Sequence, residues 1–150
     1  MSVVLDEEAR EVARAETQAV LAAVQDEERR GRLADLLAAV DDGEVDGDDA
    51  QALGEVLELG LQTGRVRALY GPDGEQAALK VYRRLPVGRE LGAAAKDVNA
   101  ALAQLAGRTI ERVSVAAVGP GAHSVTIAAD GLELTIKLGR NGATLGTIGV

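Results

Sequence analysis

The sequence predicts an α+β fold: about four to five N-terminal helices, then a C-terminal four-stranded antiparallel meander packed against an amphipathic helix. Three observations predict it. Apolar residues recur at helical spacing as far as Leu105. From Thr109 the period changes to strict alternation. The pairs Asp130-Gly131 and Asn141-Gly142 then stand between alternating runs, where two-residue hairpin turns are expected.

The first helix runs from Asp6 to about Val24, with Leu5, Ala9, Val12, Ala19 and Ala23 near helical spacing. Asp6 suits the N-cap, and Glu7 and Glu8 suit the positive end of the helix dipole. Its stripe is mostly alanine, which serves a packed helix and an extended arm equally well. Asp26 to Arg32, with Gly31 inside it, reads as a break or as a solvated turn of a continuing helix. Leu33, Leu36, Leu37 and Val40 have the i, i+3, i+4, i+7 spacing of an amphipathic helix that stops at Asp41-Asp42-Gly43. A third helix begins near Asp46 or Asp48 and uses Leu53, Val56, Leu57 and Leu61, completing an αα-hairpin with an acidic turn.

Arg65 to Tyr70 leads into the turn Gly71-Pro72-Asp73-Gly74. Asp73 is then expected to cap a short helix from Glu75 to Arg84, ended by Pro86. The clearest helix follows Gly88, with Leu91, Ala94, Ala95, Val98, Ala101, Leu102 and Leu105 on one face and Gly107 placed to end it. In the meander, Val113, Val115 and Ala117 make the first apolar row, Val125 and Ile127 the second, and Leu132, Leu134, Ile136 and Leu138 the third. The last strand, Ala143 to Val150, is weakened by Gly146 and Gly149. The expected organisation is an acidic helical region at 1–64 and an α+β region at 65–150, with the sheet at 109–150.

Charge divides the chain unevenly. Residues 1–60 hold 17 acidic side chains against 5 arginines, a net of -12, while the remaining residues carry a net of +4. The halves are complementary within one molecule or between copies. The apolar fraction of 47% suffices for a core, but Tyr70 and Tyr82 are the only aromatics. A core of Ala, Val, Leu and Ile buries little area per residue, so help from a partner or from oligomerisation is expected. There is no cysteine, which excludes disulfides, zinc–thiolate sites and thiol catalysis. No run of 18 apolar residues exists, so no membrane insertion is expected, and the start has no signal-peptide pattern. The expected setting is a bacterial cytoplasm, given an Ala-, Val-, Arg- and Gly-rich composition with three lysines.

The binding candidates are Arg65, Arg67, Tyr70, Lys80, Tyr82, Arg83, Arg84 and Arg89. Arginine and tyrosine both offer area and directed hydrogen bonds, as interface anchors do. A net charge of -8 argues against nucleic acid. Asp42, Glu44, Asp46 and Gly47 open like a calcium loop, but its twelfth position holds Leu53 where a bidentate Glu belongs, so a solvated acidic turn is expected. Gly71-Pro72-Asp73-Gly74 lacks the Gly-Lys-Ser/Thr of a phosphate-binding loop. His123 is the single histidine, so no conventional His-based metal cluster and no cofactor are expected.

The reading from sequence is therefore a non-enzymatic module that self-assembles, as a homo-oligomer, or binds another protein. A binding protein for an apolar or anionic ligand, with Arg83, Arg84 or Arg89 at the mouth of a cleft, is the first alternative. An enzyme using His123 beside a carboxylate is the second.

Overall fold

A computed structural model describes residues 1–140 and 142–150. The fold is α+β, with the helices first and a four-stranded antiparallel sheet last. It resolves into two compact units, Met1–Arg89 and Glu90–Val150. The division falls inside a helix, 25 residues beyond the expected boundary at 64, because the basic segment at 65–89 folds with the acidic helices.

The first unit begins with β1 (Val3–Val4) and α1 (Glu7–Ala23). Asp6 caps α1 by accepting from the Ala9 amide at 2.8 Å. Ala9, Val12, Ala13, Glu16 and Thr17 are buried, so of the two readings that its alanine stripe allows, α1 takes that of a packed helix. The next helix, α2 (Glu27–Asp42), starts inside the charged stretch, with Asp26 accepting from the Arg29 amide at 2.8 Å. The chain thus breaks at Val24–Asp26, and Gly31 is helical.

The acidic turn is not one loop. Asp41 and Asp42 close α2, and Glu44–Val45 form β2, which pairs antiparallel with β1. Asp46 then precedes α3 (Gly47–Gln62) without making a side-chain cap hydrogen bond. Helical geometry holds Asp42 on α2 and strand pairing holds Glu44 on β2, with Asp46 between β2 and α3. Strands of two residues carry no periodic signal, which is why β1 and β2 escape the sequence pattern.

Helix α4 (Arg65–Tyr82) corrects the expected turn and short helix. Arg65 to Tyr70 is already helical, and the axis kinks at Gly71, whose φ of 72° and ψ of -175° are accessible essentially to glycine alone. Pro72 then occupies the first position of the second segment, where its missing N–H costs nothing. Asp73 lies inside that segment rather than capping it. Helix α5 (Pro86–Ala103) likewise starts at Pro86, ahead of the expected Gly88 boundary. The first unit's core is aliphatic, with Leu36, Val40, Leu53, Leu57, Val66 and Leu85 fully enclosed.

The second unit comprises the rest of α5 and the strands β3 (Ile110–Gly119), β4 (Ala122–Ala129), β5 (Leu132–Gly139) and β6 (Gly142–Gly149). They pair in sequence order, all antiparallel. Asp130, at φ 46°, and Gly131 make the hairpin turn their sequence announces. At the Asn141-Gly142 turn, Asn141 lies outside the described residues. Register places Val113, Val115 and Ala117 opposite Ile127, Val125 and His123, and these in turn opposite Leu134, Ile136 and Leu138. One face is therefore apolar except for His123. The other carries Arg112, Ser114, Thr126, Thr135 and Glu133, with Arg112 paired to Glu133 at 3.2 Å. Helix α5 covers the apolar face over β5 and part of β6, where Val98 and Ala101 meet Leu134 and Ile136, flanked by Leu102, Leu105 and Ala143.

Candidate functional site

Several of the eight candidate anchors make contacts with different partners inside the first unit. Arg65 and Tyr70 turn inward to a residue that the pattern did not single out, Glu16. This carboxylate is 2% exposed. It accepts from Arg65 Nε at 3.1 and 3.2 Å and from the Tyr70 hydroxyl at 3.0 Å. Its room comes from Gly60, where a Cβ would stand 2.9 Å from Glu16 Oε2 and 2.8 Å from Val66 Cγ2. Arg67 pairs with Glu75 at 3.1 Å, and Arg84 donates to the Val4 carbonyl at 3.2 Å. Arg89 Nη2 lies 3.2 Å from the Met1 sulfur. Tyr82 is buried, while Lys80 and Arg83 are exposed.

Electrostatics follow this packing. Burial raises the Tyr70 hydroxyl above its ordinary pKa, and the hydrogen bond to the Glu16 carboxylate raises it further. Burial and the charge of Glu58 raise Tyr82 in the same direction. Charge complementarity between the acidic and basic stretches is thus met in part inside one unit, by a carboxylate and a guanidinium 49 residues apart. Glu16 held by an arginine and a tyrosine is a clamp between α1 and α4.

Each unit has a cavity. In the first, a space of about 610 Å³ is lined by Val20, Leu33, Val56 and Leu59 at its floor. Asp35, Asp46, Asp48, Asp49 and Glu55 stand around it with Arg29 and Arg32. Burial, then the charges of Asp35, Asp46 and Asp48, raise the Asp49 carboxyl. Five carboxylates against two guanidinium groups give this cavity the wrong sign for an anion. In the second unit, an open groove of about 540 Å³ runs between α5 and β6 over Ala94, Ala101, Leu145 and Ile148, with Asp97 and Gln104 beside it. Arg83, Arg84 and Arg89 line neither space.

His123 is exposed on β4, and its cross-strand neighbours are Ala117 and Leu138. Neither offers the carboxylate that a general base would need to orient it.

The largest departure from an ordinary surface is the apolar half-sheet. Every residue of β3 is exposed. Val113 is 56% exposed, Val115 65% and Ile110 57%. Leu138, Leu145 and Ile148 are also exposed, and Val125 and Ile127 on β4 are half-buried. The first sheet row in the sequence thus has the alternation of a buried strand and none of the cover. As an edge strand of ten residues, β3 also presents unpaired backbone groups along its outer side. Alternation announces such a face; it cannot say that a single helix is too narrow to roof four strands.

No family model, curated protein or solved structure matches the chain.

Proposed function

We propose that this chain is a non-enzymatic association module, acting in the cytoplasm by binding protein, either itself or another. One observation carries the reading: the apolar face of the second unit is covered over β5 and parts of β4 and β6, and β3 at its edge is exposed along its whole length. Contiguous exposed apolar surface on a folded domain marks a contact site, and an unprotected edge strand adds to the case. The thin core points the same way. Val98, Ala101, Ala129, Leu132, Leu134 and Ile136 are the buried hydrophobic residues of a 61-residue unit. Units of that size are marginal even when well filled.

The ligand-binding reading has less support, because the cavities lack the arginines it requires and one is acidic. The enzymatic reading rests on His123, which has no carboxylate across either strand.

Light scattering at low and high salt tests the proposal. Association through the half-sheet gives a mass above 15.5 kDa that survives high salt, since salt strengthens apolar contacts. Association through the arginine-rich segment and the acidic helices weakens instead, because salt screens exposed charges. A 15.5 kDa species at both salts, with no binding partner recovered, contradicts the proposal.

A further inference from the structure

The occupant of the half-sheet can be named. We infer that it is a second copy of this chain, stacked face to face so that the exposed β3–β4 strips of two copies cover each other. This rests on the association reading above and makes it specific.

The charge distribution is the first ground. A two-fold contact sets the same patch against itself, so a charge near the axis meets its like. The strip formed by Ile110, Val113, Val115, Ala117, Val125 and Ile127 has none, and His123, opposite Ala117 at its end, is the titratable side chain on this face. Its unit is neutral as well: residues 90–150 hold five acidic and five basic side chains, and the whole net charge of -8 lies in residues 1–89. A partner of opposite charge has nothing to grip here, and a second copy meets no net repulsion within this unit.

Layer thickness is the second ground. Stacked sheets lie about 10 Å apart, and a helix is about 10 Å across. Helix α5 therefore fills, above β5, the layer that a second sheet needs above β3 and β4. A copy placed there by a two-fold axis brings its own strip level with α5. Its own α5 falls beside the free edge of β3, and a helix along an exposed edge is a common way to protect it. An edge-to-edge pairing of two β3 strands makes a longer sheet but leaves the apolar strips bare, so stacking is the arrangement the exposed side chains favour.

Size sets the strength. Strands of ten and eight residues span roughly 33 by 10 Å, about 330 Å² a side, which is the area of a weak contact and below that of a standard interface. The expected dimer is concentration-dependent, with a Kd of about 1–100 μM.

Sedimentation velocity of the whole chain from about 1 to 500 μM, a range set to bracket that affinity, is the experiment. The wild type shifts from monomer to dimer. Val115→Asp puts a charge in the strip and weakens the dimer at least tenfold, whereas Ser114→Asp puts the same charge on the opposite face of the same strand and leaves it within about twofold. Val113→Thr with Val115→Thr, which keeps shape and strand preference, also weakens it and guards against a misfolded aspartate variant. A wild type that stays monomeric overturns the second-copy assignment, and the general reading then stands or falls on a different protein being bound. A dimer untouched by Val115→Asp and the threonine pair leaves self-association standing and overturns this surface. Equal loss in Val115→Asp and Ser114→Asp overturns stacking in favour of edge pairing.

Discussion

Glu16 ties α1 to α4, and its contribution can be bounded. Removing one partner of a buried ion pair costs about 3–5 kcal/mol when the other is left uncompensated. Here Arg65 is 48% exposed and regains water once freed. Glu16→Ala is therefore expected to lower unfolding stability by about 2–3 kcal/mol, measured by urea denaturation. The tyrosines add a pH dependence. Both have raised pKa values in the folded state, so the folded chain keeps protons that the unfolded chain loses above about pH 10. Their contribution is complete below pH 10 and declines as pH rises through the folded values. Thermal unfolding followed from pH 8 to 11 should show stability falling only at the alkaline end, and Tyr70→Phe should flatten part of that fall. An unchanged slope in that variant removes Tyr70 as a source.

At the scale of elements, what could be read from the chain and what could not divide along physical lines. Alternation at Leu132, Leu134, Ile136 and Leu138, with Asp130-Gly131 before them, depends on neighbours in sequence, and the meander appears as expected. The Asp6 cap is local in the same sense. In the sequence Glu16 is one more charge on an alanine-striped helix, because nothing near it announces that Arg65, 49 residues on, will pair with it. Arg65 to Tyr70 is too short and too charged to show a helical period, so its continuity with the helix beyond Gly71 was hidden. The kink itself offers a test. A Cβ at Gly71 meets nothing within 4 Å, so Gly71→Ala alters backbone strain alone. Its conformation predicts a loss of about 1–3 kcal/mol by thermal unfolding. A loss below about 0.5 kcal/mol would mean that α4 straightens there at little cost.

For the molecule as a whole, the net negative charge and the exposed apolar strand fall in different units. All the net charge sits in residues 1–89, whose core is aliphatic and well enclosed. Residues 90–150 are neutral, thinly cored and apolar on an uncovered face. The sequence carried the charge imbalance plainly, and it drew attention to arginines that the fold largely spends on internal contacts. The exposed strip was also legible as alternating residues, but its lack of cover depends on the width of one helix against four strands. The most direct measurement is hydrogen–deuterium exchange of the segment 110–119 in the whole chain at low and high protein concentration. If the half-sheet is the contact surface of a self-associating protein, exchange in β3 slows as concentration rises while exchange in α2 does not change. Exchange in β3 that is equally fast at every concentration would contradict that account.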